Sequence, residues 1–321
     1  MSKTVFLHIG AHKTGTTSLQ RFFREHSDKL GEIGYLYPKS AGYSFAQHRL
    51  AFALKGMRDP SIGDIPVFDK EIGELLREIE GSPQPHVIIS SEELFSLGDD
   101  AVALLREALK EFTVFVLAVL RRPDELFASL YNQLVKDPKS PFRMHYAKFL
   151  DKPGSLAADM RFEKVFARWA ACFGKDALTI RCYEDEPDSV ALVCSSVGIE
   201  LSAFPTTRTR MNRSLSVRAA EIIRLGKHAG LCEGKLRALF EAGERHFRQR
   251  PGAESLLTPE DRLCLLRKMD SETEKIFATY LKRENLYASS RFSAGDFPPQ
   301  SLLTAVDIVR LLGELVGVGE R

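Results

Sequence analysis

Hydrophobic residues in the first half of this chain alternate between short continuous runs and helical stripes. Residues 5–9 form an apolar run of the length of a buried parallel strand, and a helical stripe begins at Leu19. A second run at 87–89 follows a helical pattern over 69–80. Strands that alternate with helices in this way predict a parallel sheet covered by helices.

The same pattern continues along the next hundred residues. Residues 114–120 form the most hydrophobic run and predict the central strand, and 178–183 predict a further strand after another helix. Residues 31–66 mix glycine, proline and tyrosine with polar residues, so we expect this segment to cover the active site rather than to join the core. One short helical stretch, 45–54, lies within it.

Beyond residue 204 the apolar stripes have helical spacing, and basic residues cluster at 208–213. Residues 302–316 predict a buried terminal helix. We therefore expect an α/β core over residues 1–204 and a C-terminal helical region over 205–321. The basic cluster is typical of a solvated face or of a segment that folds over a bound anion, and the sequence leaves both open.

The loop between the first strand and the first helix, residues 10–17, contains two glycines, a lysine and three threonines. A glycine-rich turn that opens a helix directs backbone N–H groups and the positive end of the helix dipole at one point, which favours phosphate or sulfate. Gly10 and Gly15 have the spacing of the nucleotide-triphosphate loop, but the lysine, Lys13, lies inside the loop. A Mg²⁺-dependent P-loop kinase would also need a strand-end aspartate, and the next two apolar strands end in serines and arginines. The kinase is therefore the disfavoured alternative.

This loop resembles the 5′-phosphosulfate loop of sulfotransferases that use 3′-phosphoadenosine 5′-phosphosulfate (PAPS), and it looks closest to the bacterial HKTGTTSLQ-type branch. The resemblance implies a three-layer α/β/α P-loop-like sandwich with a central parallel sheet, and a lysine that touches the bridging oxygen of the cofactor. Ser18 stands where many cytosolic members have an adenine-stacking tryptophan, so adenine contacts do not transfer. The residues implied in cofactor binding are His12, Lys13, Thr14, Gly15, Thr16 and Thr17.

A second stretch resembles the 3′-phosphate motif of the same family. Arg121 ends the strand at 114–120, and Ser129 follows eight residues later on a predicted helix. Such a pair suits a phosphate, because a guanidinium binds it bidentately and a hydroxyl adds a directional bond. The two motifs extend the resemblance over residues 3–200 and imply PAPS as cofactor and 3′-phosphoadenosine 5′-phosphate as product.

Transfer to a hydroxyl also requires a base, and three residues are candidates. His48 lies on the short helix of the covering segment, and histidine side chains in general suit proton transfer near neutral pH. Glu92 and Glu93 follow the second strand, at the sheet edge where ligands collect. As candidates for the catalytic base, Glu92 and His48 rank nearly equally. Glu93 ranks behind them, because with Ser91 as a helix cap it would only complement the helix dipole.

Composition and charge disfavour several other classes of protein. A net charge of +2 on 321 residues is too small for a dedicated nucleic-acid binder. The longest apolar run is far shorter than the ~20 residues of a membrane span, and the first strand leaves no room for a cleaved signal peptide. The five cysteines are odd in number and lack metal-ligand spacing, which is typical of reduced thiols. We expect a cytoplasmic protein without a metal site.

The sequence therefore predicts a sulfotransferase that moves a sulfuryl group from PAPS to an acceptor hydroxyl, or less favourably to an amine. A saccharide or glycan-type acceptor is the expected class, while a lipid-linked glycan, a small metabolite and a peptide tyrosine stay open. A noncatalytic relative that binds PAPS or a glycan is the second alternative.

Overall fold

The computed structural model describes residues 2–59, 63–137, 139–151, 160–186, 188–204, 216–247 and 255–317. The basic cluster at 208–213 lies outside these residues. The described chain divides into two compact units. The described residues of unit 1 fall within 1–122, 158–211 and 272–285, and those of unit 2 fall within 123–157, 212–271 and 286–321. The units interleave along the chain. The division into a core over 1–204 and a helical region over 205–321 stays a prediction.

Unit 1 is built on a five-stranded sheet in which every pairing is parallel. The strand order is β2-β3-β1-β4-β5, so the first strand of the chain is central. The expected α/β fold class with a central parallel sheet is confirmed. The strands are β1 Thr4–His8, β2 Tyr35–Leu36, β3 His86–Ser90, β4 Thr113–Leu120 and β5 Leu178–Cys182.

Helices connect the strands and form most of unit 2. The π-helix Phe277–Leu281 continues directly from the twelfth α-helix. In chain order, the α-helices of the described residues are α1 Thr16–Glu25, α2 Ser27–Glu32, α3 His48–Lys55, α4 Phe68–Gly81, α5 Asp99–Ala108, α6 Pro123–Lys136, α7 Tyr146–Asp151, α8 Phe162–Phe173, α9 Ser189–Val197, α10 Val217–His228, α11 Glu233–His246, α12 Pro259–Ile276 and α13 Ala305–Gly317.

Helices cover both faces of the sheet, which explains why the strands are continuous apolar runs rather than alternating ones. On one face, α1 and α9 pack on Leu117 and Val119 of β4. Side chains alternate along a strand, so Val116 and Ala118 point to the opposite face, where α8 packs against β4 and β5. The unit is thus a three-layer α/β/α sandwich.

Two expectations about local structure are wrong. Residues 31–66 are not only a cover, because β2 lies within them and pairs with β3, and Gln47 and Leu50 are fully buried. The terminal helix forms at Ala305–Gly317, but Val306 is 57% exposed and Val309 is 69% exposed, so this part of it is not buried. Among the described helices, none combines the length and apolar character needed to cross a membrane.

Candidate functional site

The carboxyl ends of four strands deliver polar side chains to one edge of the sheet in unit 1. His8 ends β1 and stands in register with Ser90, the last residue of β3. Arg121 follows β4, and Tyr183 follows β5. Neighbouring parallel strands end at the same edge, so the fold brings together residues that are far apart in the sequence.

The loop after β1 contains three left-handed backbone positions, at Gly10, Lys13 and Gly15, with φ values of 70°, 67° and 81°. Lys13 is the unusual member, because a residue with a side chain is disfavoured in this conformation by about 1 kcal/mol or more. Alternating backbone conformations turn successive N–H groups toward one side and form a concave anion site. The N–H groups of Gly15, Thr16 and Thr17 donate to no acceptor within the described residues.

Arg121 fixes the unusual conformation of Lys13. One guanidinium nitrogen, Nη1, donates to the Lys13 carbonyl oxygen at 2.7 Å. The same guanidinium lies over the ring of Tyr183, 5.2 Å from its centroid. Arg121 therefore shapes the loop, a role that the sequence did not indicate. Tyr183 was also missed, although its place directly after a strand was a signal.

Gly15 is required for two separate reasons. Its left-handed φ favours glycine, and a Cβ atom at this position would lie 2.5 Å from Oγ of Ser189. The Ser189 hydroxyl donates to the Gly15 carbonyl oxygen at 3.1 Å and so joins the start of α9 to the loop. Ser189 is a second residue that sequence reasoning missed, because only the fold brings it near the loop.

The threonines of the loop differ in their surroundings. Thr14 is buried, and its hydroxyl donates to the Ala11 carbonyl oxygen at 2.7 Å, which closes the loop internally. Thr16 is 6% exposed and starts α1, while Thr17 is half-buried. The predicted contribution of Thr14 to anion binding would therefore come from its backbone, because its hydroxyl is engaged.

His48 and Glu92 lie close together beside this loop. The distance from His48 Nε2 to Glu92 Oε2 is 3.9 Å, and His48 Nδ1 lies 2.7 Å from the hydroxyl oxygen of Ser91. A Cβ atom on Gly10 would lie 3.0 Å from that of Glu92, so the loop packs directly on the strand end. The structure thus brings both favoured base candidates together.

Two buried glutamines hold this pair in place. Gln20 on α1 donates from Nε2 to Glu92 Oε2 at 2.7 Å. Gln47, the residue before His48, donates its backbone N–H to the Ser90 carbonyl oxygen at 3.0 Å, and its Oε1 accepts from the Ser90 N–H at 2.8 Å. The start of α3 is therefore tied to the end of β3.

The charge state of Glu92 follows from these neighbours. Burial alone would raise the pKa of Glu92, but the charge of His48 and the hydrogen bond from Gln20 outweigh it, so the pKa is lowered from its ordinary value. His12 contributes in the same direction, which places its ring within electrostatic range of Glu92. At neutral pH Glu92 is an ionised carboxylate.

The roles expected for Ser91 and Glu93 are corrected by the structure. The Ser91 hydroxyl makes no capping bond, and the turn after it, Glu92–Leu94, is a three-residue 3-10 turn rather than a helix with a developed dipole. The Glu93 carboxylate instead forms an ion pair with Lys55 Nζ at 2.7 Å. This pairing engages Glu93 with a cation.

Ser129 lies on α6 in unit 2, whereas Arg121 belongs to unit 1. Their joint binding of a phosphate stays a prediction. Within unit 1, the site combines a concave set of N–H groups, two cationic side chains at Lys13 and Arg121, and an imidazole beside a carboxylate. This arrangement can bind a phosphate- or sulfate-sized anion and can accept a proton next to it.

No family model matches the chain, and no curated protein matches it. The crystal structure of a sulfotransferase from Alicyclobacillus acidocaldarius is similar to this chain, with 17% sequence identity and a TM-score of 0.46. The similarity covers 74% of this chain and 100% of that one. A TM-score this low carries no functional assignment, and the function of this chain has to be argued from its own residues.

Proposed function

We propose that this protein is a PAPS-dependent sulfotransferase that acts on an acceptor hydroxyl, with a saccharide or glycan as the expected acceptor class. The observation that carries the proposal is the loop at residues 10–17, here called the anion loop, with its left-handed lysine. It packs directly against Glu92, which lies 3.9 Å from His48. An anion site and a base in contact are what transfer of an anionic group to a hydroxyl requires.

Lys13 and the N–H groups of the loop would hold the anionic part of the donor. PAPS supplies a sulfuryl group whose bond to the 5′-phosphate oxygen breaks during transfer. Negative charge would build on that oxygen, and the Lys13 ammonium together with the N–H groups of the loop would stabilise it. The left-handed Lys13, held through its carbonyl by Arg121, is the pre-organised part of this site.

His48 and Glu92 would take the proton of the acceptor hydroxyl. The 3.9 Å between Nε2 and Oε2 is too long for a direct hydrogen bond. It is short enough for one oxygen to lie within about 2.8 Å of both atoms. An acceptor hydroxyl at that point would donate its hydrogen bond to one of these two atoms and lie beside the other.

The proposal is tested by nucleotide binding without metal. We expect calorimetry to show that 3′-phosphoadenosine 5′-phosphate binds equally well with and without EDTA, and that ATP binds much more weakly. Strict dependence on Mg²⁺, or a preference for ATP, would instead favour the P-loop kinase.

Two variants separate the contributions of the predicted 3′-phosphate residues. Arg121→Ala should weaken the binding of both the 3′-phosphorylated nucleotide and its 3′-dephospho analogue, because the substitution also releases the Lys13 carbonyl oxygen. Ser129→Ala should weaken the binding of the 3′-phosphorylated nucleotide alone. Arg122→Ala is the matched control for the loss of one charge. Unchanged selectivity in Ser129→Ala would remove Ser129 from the site.

Catalysis is tested with radiolabelled PAPS and fractionated extract of the source cells. We expect label to appear in a saccharide-containing fraction, and treatment with glycosidases should release it. Label in a lipid, a peptide or a small metabolite would reassign the acceptor. Nucleotide binding without any transfer of label would favour the noncatalytic relative.

A further inference from the structure

Gln20 is a buried residue of α1 for which the proposed function has given no role. Its side chain is 2% exposed. Nε2 donates to Glu92 Oε2 at 2.7 Å and lies 3.4 Å from the Ser90 hydroxyl oxygen. α1 begins at the anion loop, so Gln20 connects the helix that carries the loop to the carboxylate beside His48.

The chemistry of an amide decides what this contact does. Nε2 has two N–H donors and no lone pair to accept a hydrogen bond. Protonation of Oε2 would make it a weaker acceptor for this N–H, and the contact would weaken. The Gln20 amide therefore favours the ionised form of Oε2 and fixes the direction of that oxygen.

Other groups also act on Glu92. On the loop side, His12 favours the ionised carboxylate, and His48 does so from α3. The Glu92 charge is also felt at two buried groups, the imidazole of His8 on β1 and the hydroxyl of Tyr37. Among these neighbours, Gln20 is the uncharged one that makes a direct hydrogen bond to Oε2, so its contribution does not change with pH.

We propose that Gln20 is a positioning residue that holds the Glu92 carboxylate ionised and directed at His48 Nε2, so that His48 is the base. This inference rests on the proposed function. His48 Nδ1 lies 2.7 Å from the Ser91 hydroxyl oxygen, and in the tautomer that this role requires Nδ1–H donates to that oxygen and leaves the Nε2 lone pair for the acceptor. The acceptor O–H bond would break, with its proton moving to Nε2 and its electron pair forming the bond to sulfur, while the bond from sulfur to the 5′-phosphate oxygen of the donor breaks and its electron pair stays on that oxygen. Glu92 stabilises the resulting imidazolium, which later returns the proton to water.

The test follows the Glu92 carboxyl carbon by NMR through a pH titration of the full chain without any ligand. Gln20→Leu removes both donors at similar volume and should raise the pKa of Glu92 by about 1 pH unit, because a hydrogen bond to a charged group is lost. Gln20→Glu keeps the shape and adds a like charge, so it should raise the pKa as well. The second variant keeps the test decisive if Gln20→Leu fails to fold.

Ser90→Ala is the matched control, because it removes the other partner of Gln20 and leaves the contact with Glu92. It should leave the pKa of Glu92 where it is. An unchanged titration in both Gln20 variants would overturn the proposal. An equal change in Ser90→Ala would also overturn it, because the effect would then come from packing.

Turnover gives a second readout once an acceptor is known. Gln20→Leu should move the acid limb of the kcat profile to higher pH while the affinity for 3′-phosphoadenosine 5′-phosphate stays within about twofold. A uniform loss of kcat at every pH would point to a structural role and overturn the proposal. If the wild type fails to bind the nucleotide but Glu92 still responds to Gln20, the proposed function falls while the control of Glu92 by Gln20 stands.

Discussion

His8 makes the stability of unit 1 depend on pH in a way that one substitution can remove. The imidazole ends β1 and is 1% exposed, with Nδ1 2.8 Å from the Ser90 hydroxyl oxygen. Nε2 has no hydrogen-bond partner among the described residues. Burial lowers the pKa of His8 from 6.5 to about 4, and the nearby charge of Glu92 offsets only part of that effect.

The sign and size of the effect follow from this difference. Between pH 6.5 and about 4 the unfolded chain binds a proton at His8 that the folded chain excludes, so stability falls as the pH falls through this window. At 1.36 kcal/mol per pH unit, the whole window is worth about 3 kcal/mol of unfolding free energy. His8→Asn keeps a polar atom near Ser90 and cannot titrate, so the variant should lack this pH dependence of the unfolding free energy.

The assay is urea denaturation at several pH values, followed by tryptophan fluorescence. Trp169 is the only tryptophan of the chain and is fully buried in unit 1, so its emission reports on the unit that contains His8. Other groups also titrate in this window, and the difference between wild type and His8→Asn isolates His8. The exposed His145, substituted as His145→Asn, is the control and should follow the wild type.

Parallel stability curves for wild type and His8→Asn between pH 6.5 and 4 would refute the reasoning. They would mean that the folded protein can protonate His8 without cost. A wild-type curve that falls more steeply by about 3 kcal/mol over the window is the expected result.

Two further predictions concern the loop and α3. Gly15→Ala should destabilise unit 1 by about 2–4 kcal/mol in urea denaturation and weaken nucleotide binding, because it combines a left-handed alanine with a Cβ atom 2.5 Å from Ser189 Oγ. Adding Ser189→Gly should recover the steric part alone, and full recovery would show that the backbone strain is negligible. Arg49→Met should lower the free energy of unfolding by about 3–5 kcal/mol in the same fluorescence assay, because it removes the Arg49 guanidinium from the buried carboxylates of Asp59 and Glu71. A loss below about 1 kcal/mol would mean that these carboxylates reach water or take up protons.

The sequence by itself determined the α/β class, the main strands and the glycine-rich loop after the first strand. Each of these depends on local pattern: apolar runs of strand length, helical spacing after the loop, and glycines where the backbone must be left-handed. The sequence also predicted which residues meet at the carboxyl edge of the sheet, because parallel strands bring Ser90, Arg121 and the loop to one edge wherever the helices lie. The strand-end argument identifies Glu92 as a base candidate, whereas His48 was a candidate because of the chemistry of its side chain.

The tertiary structure alone decided how these residues work together. Three hydrogen bonds join residues that lie 72 to 174 positions apart in the sequence, and no local pattern encodes such contacts. They run from Arg121 to Lys13, from Ser189 to Gly15 and from Gln20 to Glu92. The sequence did not predict the short strand β2 for the same reason. Two residues show no hydrophobic periodicity, and their strand conformation depends on pairing with β3. The charge of Glu92 likewise depends on which groups surround it after folding, because desolvation and hydrogen bonds act only through space.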